Sequence, residues 1–261
     1  MGDVIARCYI ACMSDLVLTT IEGGIATLTL NRPDARNALS PELIEAMNAA
    51  VESLAHETGR VRVMILAGAG KSFCAGMDLK GVLSDPKKMA EMLRGLSRFS
   101  RAVRRLPVPT IARVQGAAVG GGCGLMVVTD FAITHPEAKV GYPEVDLGVC
   151  PAVVAPWLIK KIGAGRARAM LLAGGTMSGE EGFKVGLATH LIPESQLETA
   201  TIELAGKLLT GGANALAVTK RWLNELDGSM EDAPFEKAAE LSAQVIAGEE
   251  AQQRLRKIYG L

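Results

Sequence analysis

Between Gly116 and Asp130 the chain reads Gly-Ala-Ala-Val-Gly-Gly-Gly-Cys-Gly-Leu-Met-Val-Val-Thr-Asp, and an acid, Glu144, follows in Gly141-Tyr-Pro-Glu-Val-Asp-Leu-Gly148. Glycine lets a backbone approach a ligand closely, and the first turn of a helix carries unpaired N–H groups and a partial positive charge. An apolar, helix-compatible run that opens on glycines is therefore equipped to hold a carbonyl oxygen while negative charge grows on it. Upstream, Phe73-Cys-Ala-Gly-Met-Asp-Leu-Lys80 reads as a turn with a second exposed N–H, at Met77. Met77 and Gly121 together give two donors for one oxygen, each worth about 3–4 kcal/mol in a transition state. A carboxylate in a partly apolar pocket, its pKa raised by burial, can then move a proton, and Glu144 is the candidate. The same residues also suit blander roles: a glycine-rich helix contact, and for Glu144 a helix cap or surface ion pair.

Other chemistries fit poorly. Ala67-Gly-Ala-Gly-Lys71-Ser72 resembles the end of a phosphate-binding loop, but Ile65 stands where the motif needs its first glycine. Gly120-Gly-Gly-Cys-Gly124 lacks the dinucleotide spacing and the ribose-binding acid. Cys123 has no histidine nearby in sequence and reads as a small buried hydrophobe. His56, His135 and His190 are solitary, so no metal is expected, and Gly-x-Ser-x-Gly is absent. Arg94, Arg98, Arg101 and Arg105 share one face of a helix; they read as a solvated face paired with neighbouring acids rather than an RNA-binding stripe.

The elements that must position these groups follow from the wider sequence. The chain has 261 residues, 49% of them hydrophobic, with 28 basic and 28 acidic residues, so it can bury a full core and has no global field for nucleic acid or anionic membranes. No uncharged stretch is long enough to span a bilayer. Five cysteines without paired metal-type spacing point to a reducing, cytoplasmic setting. Residues 1–13 lack the pattern of a signal peptide and read as a poorly ordered, dispensable extension. Two β-rich runs, 16–21 and 25–30, flank Glu22-Gly-Gly24 as a hairpin. Ser40-Pro41-Glu42 opens a helix running to about His56. A buried strand follows at 61–67, a helix at 86–106 with Met89, Met92, Leu93, Leu96, Phe99 and Val103 at helical spacing, and a further strand before the glycine run. Strand–helix alternation followed by a largely helical C-terminal third predicts an α/β domain with a helical subdomain. Trp222, Leu223, Phe235, Leu241, Val245 and Ile246 make that third too apolar for a monomer's surface.

Over residues 14–261 the chain resembles the crotonase (enoyl-CoA hydratase/isomerase) superfamily. The motifs that carry the resemblance are Leu30-Asn-Arg-Pro-Asp-Ala-Arg-Asn-Ala-Leu-Ser40, Phe73–Lys80, Val114-Gln-Gly-Ala-Ala-Val-Gly-Gly-Gly-Cys-Gly124, Pro143-Glu-Val-Asp-Leu-Gly148 and Leu172-Ala-Gly-Gly-Thr-Met-Ser178. It implies a spiral of ββα units over 14–200, a helical trimerisation region over 201–261, and homotrimers or dimers of trimers. It also implies an acyl-CoA substrate, with coenzyme A as part of that substrate and no separate cofactor, and neither membrane nor nucleic acid as a partner. Met77 and Gly121 would hold the thioester oxygen, and Glu144 would act on the acyl chain. The loop around Arg36 and Ala38, the stretch Ala75, Asp78, Leu79 and Lys80, and the glycines Gly122 and Gly124 would bind coenzyme A and substrate. Straight-chain hydratases of the family carry two glutamates; here Gly124 replaces one, and Pro151-Ala-Val-Val-Ala-Pro-Trp157 replaces a glycine-rich loop. The expected activity is hydration of a 2-enoyl-CoA to a 3-hydroxyacyl-CoA, within fatty acid metabolism. Shift of a double bond between Δ3 and Δ2 is the close alternative, since one base suffices. A non-catalytic acyl-CoA- or RNA-binding protein of the same fold is a third reading. Asp146 carries little weight as a catalytic group.

Overall fold

The structure, a computed structural model, describes residues 8–9, 14–57, 59–80, 82–83 and 85–260. β1 (Cys8–Tyr9) pairs antiparallel with Thr20 and Ile21; the rest of the N-terminal extension lies outside the described residues. The expected hairpin is present as β2 (Val17–Glu22) and β3 (Ile25–Leu30), turning at Gly23 and Gly24, both at positive φ. α1 (Pro41–His56) starts where Ser40 Oγ accepts the Leu43 N–H at 3.2 Å. β4 (Val63–Gly68) and α2 (Pro86–Arg105) follow, then β5 (Thr110–Val114), β6 (Ala117–Val119), α3 (Gly121–Val128), β7 (Phe131–Thr134) and β8 (Lys139–Gly141). The remainder comprises α4 (Ala155–Ile162), α5 (Ala164–Ala173), β9 (Thr176–Ser178), α6 (Gly179–Val185), β10 (His190–Leu191), α7 (Leu197–Leu209), α8 (Ala213–Leu226), α9 (Ala233–Ala247) and α10 (Glu249–Tyr259).

Among the described residues seven strands form one sheet in the order β1-β2-β3-β4-β5-β7-β10, parallel from β3 onward, and β6-β8-β9 form a small second sheet. β4 is buried along its whole length because both faces of the sheet are covered. Met64 and Leu66 point into the main core with α1 and α2, while Val63 and Ile65 join Ile111, Ile133, Leu197 and Ala205 beneath α7. The position expected to divide core from helical region, 200/201, therefore falls inside a helix that is itself part of the sheet's packing.

The C-terminal helices fold back onto their own chain. α9 lies along α2, with Phe235 stacked on Trp157 at 4.2 Å between ring centroids. The arginine face of α2 is used here: Arg94 pairs with Glu240 at 2.7 Å, Arg101 and Arg105 with Asp232 at 2.7 and 2.8 Å, and Arg98 reaches Asn48. Pairs this exposed add little stability but set the register of α9. Burial of a side chain such as Phe235 contributes roughly 1.5–3 kcal/mol and decides the docking. Phe235 and Ile246, expected on an unpartnered surface, are accordingly buried within the chain. Trp222, Leu223, Leu241 and Val245 are exposed as expected, and Leu226 joins Trp222 on α8 at 65% and 57% exposure. Among the described residues no helix is long and apolar enough to cross a membrane.

Candidate active site

Three backbone segments meet at the start of α3. The first is the loop after β3, where Arg36 and Asn37 take positive φ and the buried Asn37 side chain ties neighbouring turns together. Asn37 Oδ1 accepts the Arg32 N–H at 2.8 Å, and Nδ2 donates to the Ala69 and Ser72 carbonyls at 2.9 and 2.8 Å. The second segment is 73–79. Cys74 bridges to Ala118 of β6, and Met77 bridges in parallel to Leu39. In that bridge the bonds run from the Leu39 N–H to the Gly76 carbonyl and from the Asp78 N–H to the Leu39 carbonyl, so the N–H of Met77 points the other way and has no partner among the described residues. The third segment is α3 itself, whose first residue, Gly121, also has an unpartnered N–H.

Glycine is required where these segments touch. Gly76, at φ 96°, could not carry a side chain, since a Cβ there would stand 2.8 Å from the Val119 carbonyl oxygen; the same point is 3.9 Å from the Gly121 nitrogen, which shows how near the two donor segments lie. Gly120, at φ 55°, caps α3, and its N–H is anchored to the Gly141 carbonyl at 2.8 Å. A Cβ on Gly120 would meet Glu144 Oε1 at 3.2 Å. The carboxyl of Glu144 therefore rests against the backbone one residue before the Gly121 donor.

Glu144 arrives on the segment after β8, ahead of a short 3₁₀ turn, Val145–Leu147, and its carbonyl accepts the Val149 N–H at 2.8 Å. Its Oε2 is buried without a hydrogen-bond partner among the described residues. Burial pushes its pKa up to about 7; nearby Asp146 adds to the rise, and its own backbone N–H opposes it. Asp146 itself accepts the Gly175 N–H at 2.8 Å and fastens that turn rather than entering the site.

A cavity of about 140 Å³ joins Met77, Gly121 and Glu144. Ala75 and Leu79 border it as well, whereas Arg36, Ala38, Asp78, Lys80, Gly122 and Gly124 do not. Arg36 and Lys80 are exposed, and Asp78 pairs with Arg32 at 3.2 Å beside the Ala38 carbonyl, which Arg32 also holds. Gly122 serves packing, since a Cβ there would fall 2.2 Å from the Cys74 carbonyl oxygen. Gly124 likewise faces Val154, whose Cγ1 would be 2.5 Å from an added Cβ. Both glycines were expected to contact substrate; neither borders this cavity, and each is packed against a neighbouring segment. Four residues given no individual role from sequence also matter: Asn37, Val154, Ser242 and Tyr259, the last three lining the cavity. Their signal is long-range contact, which spacing along a chain does not carry. Among the described residues no group of His, Cys, Asp and Glu could hold a metal ion.

Two backbone N–H groups without partners among the described residues and one buried carboxyl thus border the same cavity of an α/β fold, an arrangement that can polarise a carbonyl and move a proton beside it. The sequence profile described as Enoyl-CoA hydratase/isomerase matches residues 20–257, and the chain belongs to that family, within the crotonase superfamily. It is 35% identical over 211 residues to hydroxycinnamoyl-CoA hydratase-lyase of Pseudomonas fluorescens, covering 78% of this chain and 76% of the relative. It is 31% identical over 249 residues to 1,2-epoxyphenylacetyl-CoA isomerase of Escherichia coli, covering 93% and 94%. The crystal structure of an enoyl-CoA hydratase/isomerase from Mycobacterium paratuberculosis superposes with a TM-score of 0.85 at 26% identity, covering 94% of this chain and 99% of that one. The chain is thus an acyl-CoA hydratase/isomerase-family protein with the crotonase fold.

Proposed function

We propose that the protein adds water to 2-enoyl-CoA thioesters, with Glu144 as the single acid/base and the Met77 and Gly121 N–H groups as the thioester oxyanion site. The observation that carries this reading is the placement of one carboxyl, unpaired at Oε2 and held near pKa 7, against the backbone that begins α3. Near that pKa both protonation states are accessible, as a group that first accepts and then returns a proton requires. The carboxylate takes a proton from water as the water oxygen bonds to C3. The C2–C3 π pair moves through C1 onto the thioester oxygen, where the two donors hold the enolate. Collapse of the enolate then takes the proton from the Glu144 carboxyl at C2, restoring the carboxylate. Coenzyme A enters as part of the substrate, and the chemistry invokes no resident cofactor. Arg36, Ala38, Asp78 and Lys80, on the surface side of the oxyanion segment, are the proposed contacts for the nucleotide end.

A second reading, Δ3–Δ2 isomerisation, is favoured by one observation. Val154 occupies the space beside Gly124, leaving a single carboxyl to work alone. The same base would then move a proton from C2 to C4 with no water added. Turnover of 2-enoyl-, 3-enoyl- and 3-hydroxyacyl-CoAs in H₂¹⁸O, with products read by mass spectrometry and NMR, separates the two. Label at C3 supports hydration, a moved double bond without label supports isomerisation, and no turnover of any member of the panel rejects both.

We also propose a homotrimer or a dimer of trimers in the reducing cytoplasm. The exposed α8 face around Trp222 and Leu226, together with the free thiols of Cys74, Cys123 and Cys150, supports this setting. Light scattering at micromolar concentration checks the assembly, and a mass near the 27.4 kDa of one chain would reject it.

A further inference from the structure

The cavity at Glu144 has a wall built in a way that selects its acyl group. Its walls are apolar: Leu93 and Leu96 from α2, Leu147, Val153 and Val154 from the segment around Glu144 and α4, and Ile246 from α9. The wall at 149–154 is pinned rather than loose. Val149 N–H is bonded to the Glu144 carbonyl at 2.8 Å, and Ser242 Oγ donates to the Cys150 carbonyl at 2.9 Å. Val154, at the start of α4, is wedged so tightly against α3 that only glycine fits at 124. The wall therefore cannot retreat toward α3 to admit a longer chain, because close-packed backbone stands behind it.

Size and polarity both constrain what enters. A cavity of about 140 Å³ is close to the roughly 150 Å³ apolar cavity that accommodates one benzene, so it holds about six carbons, counting those that react. No Lys, Arg or His among the described residues borders it. Ser242 has already spent its proton on Cys150. A carboxylate on the acyl chain would be buried without a cation and beside Glu144, an arrangement that is strongly disfavoured.

Resting on the acyl-CoA reading above, we infer that the preferred substrates are short, uncharged acyl thioesters of about four to six acyl carbons, and that Val154 is a specificity-determining residue that sets this limit. Calorimetric binding of saturated butyryl-, hexanoyl-, octanoyl- and decanoyl-CoA tests this without requiring turnover. The expected result is a loss of affinity of about tenfold or more from six to ten carbons, the size of a ~1.4 kcal/mol discrimination. Val154→Ala should shrink that ratio by about threefold or more by admitting longer chains. Ile246→Ala, on a separate element, should act in the same direction should Val154→Ala fail to fold. In kinetics, a dicarboxylic 2-enoyl-CoA such as glutaconyl-CoA should have kcat/KM at least tenfold below crotonyl-CoA. Equal affinity for butyryl- and decanoyl-CoA, an unchanged ratio in the folded variants, or glutaconyl-CoA turned over as well as crotonyl-CoA would each overturn the inference. Chain-length discrimination in binding with no turnover of any enoyl-CoA would instead retain the inference and reject the hydratase reading.

Discussion

The two ends of α3 hold buried charge in opposite ways. At the C-terminal end, Asp130 accepts the Thr110 N–H and hydroxyl at 2.8 and 2.9 Å, pairs with Lys220 at 2.7 Å, and has Arg104 at 3.6 Å. Lys161 donates to the carbonyls of Thr129 and Asp130, the arrangement a helix C-terminus favours. Burial lowers the pKa of Lys161 to about 8 and also lowers that of Lys220, but each ammonium has oxygen partners. At the N-terminal end, the donors at Gly121 and Met77 and the Oε2 of Glu144 lack partners among the described residues. One end spends its polar groups on the fold; the other keeps them available for a ligand. A buried network of full hydrogen bonds is stabilising only when complete, whereas unsatisfied groups cost stability and are retained where chemistry needs them.

The most severe break in this contrast is Glu144→Gln. Turnover should fall by roughly 10²–10⁴ while acyl-CoA affinity changes little, because the amide is similar in size and the donors are untouched. The same substitution should stabilise the protein near neutral pH. The folded pKa of Glu144 is raised from 4.5 to about 7, so the folded state binds the extra proton and the penalty of ionising it grows as pH rises through that window. Denaturant unfolding should show Glu144→Gln more stable than wild type by roughly 1–3 kcal/mol at pH 7.5 and nearly equal to it at pH 4. Equal turnover in wild type and variant would remove Glu144 from the mechanism. In wild type, kcat/KM should rise with pH through about 7, since each reaction considered begins with the carboxylate.

Lys220→Met attacks the other end. Leaving Asp130 partly unpaired should cost about 3–5 kcal/mol of stability, with kcat per folded molecule nearly unchanged. A loss of kcat as large as that for Glu144→Gln would show that the two ends are not separable. On catalysis, as distinct from stability, the smallest gain is expected from Gly124→Glu. With Val154 in place the new carboxylate has no room, so hydration should not increase and the melting temperature should drop. Combining it with Val154→Gly should recover part of the lost stability, as the double-variant melting curve would show.

Much of this was legible in the chain. Ser40-Pro41, the spacing from Met89 to Val103, the hairpin at Gly23-Gly24 and the glycine start of the helix at Gly121 are all local features. Backbone sterics, capping and periodicity act over a few residues, so residue order alone determines them. Tertiary structure decided what those features became. α9, over a hundred residues away in sequence, turned the arginine face of α2 into a docking surface and took Phe235 and Ile246 inside. Val154 made Gly124 a packing glycine, Asn37 joined turns more than thirty residues apart, and burial raised the pKa of Glu144. Residue type supplied the carboxyl, but its pKa depends on how much water and how many partners the folded chain leaves around it, and those are set by segments that meet only in space.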